Sequence, residues 1–285
     1  MKFTVFGEIL WDIFGEEKKI GGAAFNFAAH AGKLGYDVDF VSAVGADALG
    51  DEAVEASEAL GIPTGNIQRV AQKTGYCQVT LREGMPSYDL VRGVAYDNIP
   101  VPENASMEGD VFYFGTLAQR AEASRKTLEA YLKGQYREVF FDINIRQNYY
   151  SAEMIDKSLK ASTIFKVSRE EIGVLGIPGT PEEICPVLAK RYPNLRIIVV
   201  TLDADGSLAY EVSSGKIFYS PKPHCQVVST VGAGDSFSAC FAANYIAGAD
   251  METCLRKATM LSSFVVTQLG ACPDYPKELL ADIRP

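Results

Sequence analysis

The sequence predicts an α/β fold in which a mostly parallel central sheet is covered by helices and accompanied by a small antiparallel β-sheet. Apolar segments rich in β-branched and aromatic residues alternate with helical patterns, which is typical of βαβ units around a parallel sheet. Residues 75–99 break this rhythm with period-two alternation. The length of 285 residues, 47% of them hydrophobic, suits a single domain spanning 1–285.

The alternation can be followed along the whole chain. The strand patterns lie at 2–10, 37–45, 110–117, 138–145, 163–168 and 196–203. The helical patterns lie at 24–35, 50–61, 121–134, 151–162, 180–193, 235–248 and 251–270. No internal repeat or long linker interrupts this order, so composition marks no domain boundary.

The stretch at 75–99 is predicted to form two antiparallel strands joined by a hairpin turn at Glu83-Gly84-Met85-Pro86, with polar residues on one side. A small antiparallel sheet inserted in a parallel α/β protein is a candidate lid over a ligand site. An edge hairpin of the main sheet is the alternative interpretation.

Composition excludes several classes of function. Lys and Arg number 27 against 36 Asp and Glu, the net charge is −9, and no basic run stands out, so neither nucleic acid nor an anionic membrane is an expected partner. The N-terminus resembles a first strand rather than a signal peptide. Six cysteines without a C-x-x-C pair indicate reduced thiols and predict a cytoplasmic location. Two distant histidines argue against a His-based metal site or a Ser/His triad.

The strongest chemical signal is the sequence VGAGDSFSACFAA at 231–243, which sets Asp235 directly after Gly232, Ala233 and Gly234. The first amides of a helix have no partner within the helix, and glycine allows close approach of a ligand, so this turn predicts an anion site. Such amides stabilise the charge of phosphoryl transfer, and Asp235 lies where a base is needed. The simpler interpretation is a capped helix. A phosphate loop of the G-x-x-x-x-G-K-[ST] type is missing from the sequence, as is a G-x-G-x-x-G motif.

Two spaced motifs resemble the signatures of the ribokinase-like (PfkB) carbohydrate kinases. The sequence STVGAGDSF is similar to the family's C-terminal D-T-x-G-A-G-D signature, and GGAAFNFAAHAGKLG at 21–35 is similar to its N-terminal one. The first-strand sequence GEILWD at 7–12 also matches. Within the family, VTLR at 79–82, DINIR at 142–146 and KVSREE at 166–171 resemble fructokinases. The resemblance covers essentially the whole chain and implies a ribokinase-like three-layer α/β/α fold.

The resemblance implies a role for each matching residue on the phosphoryl side of the site. Asp235 is the implied catalytic base, with an anion hole formed by the amides of Gly232, Ala233 and Gly234. Glu171 matches the acid of the family's N-x-x-E motif, which helps to organise Mg²⁺ through water. ATP and Mg²⁺ are therefore the expected cofactors. Nucleotide contacts are implied for Thr201, Gly206, Gly232 and Gly234.

On the acceptor side, the resemblance implies that Asp12, Gly22 and Asn26 hold sugar hydroxyls. Asn144 and Arg146 are expected near the sugar and the transferred phosphoryl group. The residue types agree with these roles, because carboxylate and amide groups bond to hydroxyls and a guanidinium presents a planar fork to phosphate oxygens. Taken singly, Asp12 could equally be a turn residue, and Asn26 could bond to backbone.

Three positions depart from the family pattern. Ser229 stands where the signature usually has Asp, a residue that in several members helps to bind an activating monovalent cation, so such activation is in doubt. Ser168 replaces the Asn of N-x-x-E. Asp203 replaces a usual glycine, which either brings an acid near the nucleotide phosphates or makes the turn point it away.

These observations predict an ATP- and Mg²⁺-dependent kinase that phosphorylates a primary hydroxyl of a small carbohydrate, with fructose as the first candidate. Alternative acceptors are a keto-deoxy sugar acid, ribose or a nucleoside; a sugar acid would need a dedicated arginine, for which Arg146 or Arg82 could serve. A non-catalytic sugar- or nucleotide-binding regulatory protein is the alternative of another class. Pairing of two copies through the lid is left open.

Overall fold

A computed structural model of the chain describes residues 1–82 and 85–285, with side chains at all of these positions except 14, 79–82 and 85–88. Its strands, in chain order, are β1 (Lys2–Phe6), β2 (Leu10–Phe14), β3 (Glu17–Gly21), β4 (Asp37–Gly45), β5 (Ile67–Val70), β6 (Gly75–Arg82), β7 (Met85–Leu90), β8 (Glu108–Gly115), β9 (Gln135–Asp142), β10 (Ile164–Ser168), β11 (Ile197–Thr201), β12 (Ser207–Glu211) and β13 (Lys216–Ser220). Its α-helices are α1 (Ala23–Lys33), α2 (Ala48–Ala59), α3 (Glu122–Tyr131), α4 (Ala152–Ala161), α5 (Pro181–Arg191), α6 (Ala233–Ile246), α7 (Met251–Val265) and α8 (Lys277–Ile283).

The larger sheet has nine strands in the order β13-β12-β11-β10-β9-β8-β1-β4-β5. From β11 through β5 every neighbouring pair is parallel, whereas β12 and β13 add an antiparallel edge. The chain builds outward from β1 in one direction and from β8 in the other, so the order reverses between these two strands. Ligands of open α/β sheets bind at such a reversal, beyond the carboxyl ends of the strands.

Helices cover both faces of this sheet because its strands are apolar on both sides. In β11, Ile197 and Val199 belong to one buried cluster while Ile198 and Val200 belong to the other, as the period of two requires. One cluster is completed by α1, α6 and α7, and the other by α3, α4 and α5. The three-layer α/β/α prediction is confirmed.

The smaller sheet has the order β3-β2-β6-β7. Its two hairpins, β2–β3 and β6–β7, are antiparallel, and β2 joins β6 in parallel. The two strands expected within 75–99 are present as β6 and β7, and the segment then ends in a short 3-10 helix at Ala95–Asn98. Of the predicted hairpin turn, positions 83 and 84 lie outside the described residues.

Several elements escaped the sequence patterns. The predicted first strand at 2–10 is interrupted: β1 ends at Phe6, and Asp12 lies inside β2 of the smaller sheet rather than at the end of β1. The strands β5, β12 and β13, which lie at or next to the edges of the larger sheet, and the final helix α8 were not predicted. Each is short, at four to seven residues, and a short segment carries too few periods to be recognised.

Two further features concern the helices and the cysteines. Within the described parts of the chain, none of the helices combines the length and the apolar character that a membrane span requires. The thiols of all six cysteines are free, and four of them are buried: Cys77, Cys185, Cys240 and Cys254.

Candidate active site

A cavity of about 560 Å³ opens at the carboxyl edge of the larger sheet, where the strand order reverses. Loops that follow β1, β8 and β9 form its floor, together with the N-terminus of α6 and residue 166 of β10, and the smaller sheet forms its far wall. Of the predicted site residues, the structure brings together Asp12, Gly22, Asn26, Asn144, Arg146, Gly232, Gly234 and Asp235 around this one cavity.

The start of α6 is shaped by the glycine turn. Gly232 has φ 81°, and a Cβ there would lie 2.6 Å from the carbonyl oxygen of Ala271, so only glycine fits. Helix α6 has no side-chain cap, which leaves its first-turn amides available for a ligand. Ala233 does not line the cavity, and its amide donates to the Thr230 carbonyl at 3.3 Å. Of the three residues predicted to form the anion hole, Gly232 and Gly234 therefore line the cavity and Ala233 does not.

Asp235 lies in the first turn of α6 and is only 9% exposed. The Asn26 side-chain amide donates to its Oδ2 at 2.8 Å, which joins the two predicted signatures across 209 residues of sequence. Burial raises the pKa of Asp235 to about 7, helped by the charge of Asp142, while the Asn26 hydrogen bond and the cations Lys166 and Arg146 act to lower it. A carboxyl group with such a pKa is suited to accept a proton near neutral pH.

The acceptor wall is built from β2 and the diglycine turn before α1. Asp12 faces this space from β2, and burial raises its pKa against the opposing charge of Arg146. Gly22 has φ 113°, and a Cβ there would lie 2.5 Å from the Glu8 carbonyl oxygen, so the close backbone approach requires glycine. Glu8 is buried and accepts the first-turn amide of Ala23 at 2.9 Å, which fixes the start of α1.

Asn144 and Arg146 lie on the loop after β9. Asn144 and Gln147 adopt positive φ values of 37° and 50°, which are unusual for residues other than glycine and are typical of functional loops. Arg146 is exposed, yet its charge lowers the pKa of Glu8, Asp12 and Asp235, so its guanidinium lies over the acidic side of the cavity. The loop therefore presents a long cationic side chain to three carboxyl groups.

Of the predicted nucleotide residues, Gly232 and Gly234 line this cavity, whereas Thr201 and Gly206 lie outside it at neighbouring strand ends. Thr201 ends β11 and pairs in register with Ser168 at the end of β10. Its carbonyl accepts the amide of Arg169 at 2.9 Å. Gly206 has φ 103°, and a Cβ there would lie 2.0 Å from the Ser220 carbonyl oxygen, so this glycine is needed for the close packing of β12 against the chain after β13.

Glu171 is the residue implied to organise Mg²⁺. Its carboxylate accepts the Ile145 amide at 2.7 Å and the Ser168 amide at 3.0 Å, which ties the turn after β10 to the loop after β9. A carboxylate has about four acceptor positions, so about two remain for water. Within the described ranges, 1–82 and 85–285, no group of three acidic, His or Cys side chains could hold a metal by itself. The donor set fits an ion held chiefly by phosphate and water, with Glu171 in the outer shell.

Two further positions, His30 and Asp203, have well-defined surroundings in the structure. His30 is fully buried between the Tyr275 hydroxyl and the Ala271 carbonyl, and burial lowers its pKa to about 3, which agrees with a structural role. Asp203 is exposed and has φ 54°, a left-handed conformation that favours the family's usual glycine.

Sequence reasoning missed the buried ion pair of Lys166 and Asp142. The ammonium lies 3.0 and 3.1 Å from the two carboxylate oxygens, and Asp142 also accepts the Ser238 hydroxyl at 2.8 Å. Burial alone would lower the pKa of Lys166, but the charges of Asp142 and Glu171 hold it above its usual value, so the side chain is a cation. A lysine inside an otherwise apolar strand, in TIFKVS, was the available signal.

The three-layer fold is that of ribokinase-like kinases, and comparison with known sequences identifies the family. Residues 5–278 match the description "pfkB family carbohydrate kinase", so the chain belongs to that family.

Individual relatives are distant and differ in activity. A nucleoside kinase of Methanothermobacter thermautotrophicus is 27% identical, with 90% of this chain and 81% of the relative covered. A fructokinase of Rhizobium leguminosarum bv. trifolii is 26% identical, with 85% and 75% covered. Among solved structures, fructokinase with bound ATP from Xylella fastidiosa superposes with a TM-score of 0.87 over 99% of this chain and 97% of that one, at 22% identity.

Proposed function

We propose that this carbohydrate kinase transfers the γ-phosphoryl group of ATP to a primary hydroxyl of a small neutral sugar, with fructose as the first candidate. The observation that carries the proposal is Asp235: a buried carboxyl group with a pKa of about 7, held by Asn26, at the open N-terminus of α6. ATP is supported by membership of the kinase family and by the ATP complex of a protein with the same fold.

In the proposed reaction, the acceptor hydroxyl oxygen attacks the γ-phosphorus in line, and the bond from that phosphorus to the β,γ-bridging oxygen breaks. The hydroxyl proton passes to Asp235, and ADP leaves with the electron pair of the broken bond. The first-turn amides of α6 donate to the phosphoryl oxygens as charge develops on them. Glu171 would help to hold Mg²⁺ through water, and the ion would neutralise part of that charge.

Electrostatics favour a neutral acceptor over an acidic one. The acceptor side carries the carboxyl groups of Glu8 and Asp12, and Asp235 lies where it meets the phosphoryl side. The guanidinium of Arg146 opposes these acids, whereas the other cation of the cavity, Lys166, is paired with Asp142. A sugar carboxylate placed there would have to displace Arg146 from those acids or meet their charge directly, whereas neutral hydroxyls can bond to them. Arg82, the other arginine considered for a sugar acid, has a side chain outside those described.

A nucleoside is the second candidate, and one observation favours it. The cavity has an apolar wall that includes Leu10, Leu90 and Leu117, which could pack against a flat base as well as against a sugar ring. The nucleoside kinase among the relatives is as similar to this chain as the fructokinase is. Fructose is the first candidate because the motifs DINIR and KVSREE resemble those of fructokinases. These motifs contain the predicted site residues Asn144, Arg146 and Glu171.

A coupled assay of ADP release tests the proposal across free hexoses, pentoses, keto-deoxy sugar acids and nucleosides, with ATP and Mg²⁺ in excess. Fructose should rank first by kcat/KM, and sugar acids should lie at least about tenfold below it. If the kcat/KM of a nucleoside exceeds that of fructose tenfold, the protein is still a kinase, but its acceptor is a nucleoside and not fructose. Absence of acceptor-dependent ADP release, with sugar binding still measurable by calorimetry, would instead establish the non-catalytic binding protein.

A further inference from the structure

The ion pair of Lys166 and Asp142 has no role in the reaction as written above. The two residues are paired in register on β10 and β9, and their side chains are only 6% and 0% exposed. A buried ion pair is a weak source of stability, because apolar residues of similar size often serve as well or better. Stability alone therefore does not explain why a lysine stands in this strand.

The position of Lys166 points to the phosphoryl group. Its side chain lines the acceptor cavity, and a Cβ at Gly234 would lie 3.2 Å from its ammonium nitrogen. The ammonium thus lies against the turn whose amides form the anion hole. Asp142 is completely buried, does not line the cavity, and is anchored to α6 by Ser238, so the positive end of the pair is the one that faces the cavity.

The charges around the cavity are the second observation that connects the Lys166 ammonium to the phosphoryl group. An incoming phosphoryl group is strongly anionic, and Asp235 and Glu171 are acids on the same side of the site. Arg146, which also lines the cavity, is on an exposed loop, whereas Lys166 is held by two hydrogen bonds at 3.0 and 3.1 Å. An ammonium has three donors, so one remains for a ligand oxygen.

We infer that Lys166 contacts the phosphoryl group during transfer and donates to one of its equatorial oxygens, with Asp142 as the residue that positions it. A fixed cation at this point needs no reorganisation when charge develops, which is the condition for large electrostatic stabilisation. Glycine at position 234 allows close approach of a ligand. It also leaves room for the Lys166 ammonium, because a side chain there would crowd that group. The inference rests on the proposed kinase activity.

The decisive variants are Lys166→Met and the double variant Lys166→Met/Asp142→Asn. The single variant leaves a buried carboxylate unpaired and is expected to lose stability. The double variant removes both charges and keeps an acceptor for Ser238, so its Tm should return to within a few degrees of the wild type. Its kcat should still be about 10²–10³-fold lower, as when an oxyanion-hole donor is removed. The exposed pair Lys157→Met/Glu153→Gln on α4 is the matched control and should lose less than about twofold.

A binding measurement separates phosphoryl contact from a structural role. ADP with aluminium fluoride and the acceptor mimics the transferring group, and its affinity should fall at least about 30-fold in the double variant. The affinities for ADP alone and for the acceptor alone should change by less than about threefold. Recovery of kcat to within threefold in the double variant would overturn the inference, and so would equal losses for ADP and for its fluoride complex. If the wild-type protein shows no kinase activity, the result contradicts the proposed function itself rather than the role of Lys166.

Discussion

The two sides of the cavity are built differently. On the phosphoryl side, Asp235 and Lys166 are both less than 10% exposed and lie on a helix and a central strand. Each is joined by hydrogen bonds to a buried partner, Asp235 to Asn26 and Lys166 to Asp142. On the acceptor side, Asp12 is on the smaller sheet, and Arg146 is on an exposed loop with neighbours in left-handed conformations. Under the proposed function, the chemical step therefore depends on groups fixed in the core, whereas the choice of acceptor depends on elements at its edge.

Under the proposed function, this difference separates a fixed class of reaction from an adaptable choice of substrate. Buried groups are held by many neighbours, so a change in one of them disturbs packing and charge together. Loop and lid residues tolerate change and adapt one scaffold to many ligands. Four predictions test the contrast, beginning with the largest expected effect.

Asp235→Asn should lower kcat by about 10²–10⁴-fold, the usual range for a general base, and leave acceptor affinity nearly intact. The amide keeps the shape of the side chain and can still accept from Asn26, so the site should remain assembled. Steady-state kinetics with a calorimetric titration of the sugar provide the check. Turnover within a few-fold of the wild type would exclude Asp235 as the base.

Asp12→Ala should act mainly on KM. Loss of a carboxylate that bonds to an acceptor hydroxyl is expected to reduce kcat/KM by about 10–100-fold, with kcat within about fivefold. Asp89→Ala is the matched control, because Asp89 is an exposed carboxylate on the same small sheet. Equal effects on kcat and KM would mean that the smaller sheet takes part in the chemical step, and the contrast between the two sides would fail.

The pH dependence of kcat/KM should reflect the ionisation of Asp235 on the buried phosphoryl side. The pKa of Asp235 is about 7 and the base must be ionised, so kcat/KM should rise about tenfold between pH 6 and pH 8 and level off above. Residual activity of Asp235→Asn should lose this rise, whereas the Asp12→Ala variant should keep it. A flat profile across this range would show that another group accepts the proton or that chemistry does not limit the rate.

Sequence reasoning succeeded and failed on both sides of the cavity. The glycine turn, Asp235 and Asn26 were predictable because their residue types carry chemistry at a fixed spacing, and the structure brings the last two within 2.8 Å. Asp12 was named but misplaced, since period-two patterns do not distinguish the end of β1 from the start of a second sheet. Lys166 and Asp142 were missed because their meaning depends on the register of β9 and β10, which only the folded chain defines.

The smallest expected effect concerns monovalent cations and position 229, on a segment that joins the core to the glycine turn. Ser229 is half-buried, its amide donates to the Val266 carbonyl at 3.1 Å, and its hydroxyl accepts the Val231 amide at 3.3 Å. A partly buried K⁺ needs negative charge to offset lost hydration, and a hydroxyl that already serves a turn supplies only a dipole.

Replacing Na⁺ or a bulky organic cation by K⁺ should therefore raise activity less than about threefold, or about 0.65 kcal/mol. The Ser229→Asp variant adds the missing charge and should respond to K⁺ more strongly, provided that the new carboxylate still accepts the Val231 amide and so keeps the turn. Both proteins are assayed at constant ionic strength, so that general screening does not imitate a specific effect. Strong activation of the unchanged protein by K⁺ would mean that backbone carbonyls alone hold the ion, and that the phosphoryl side tolerates change at Ser229.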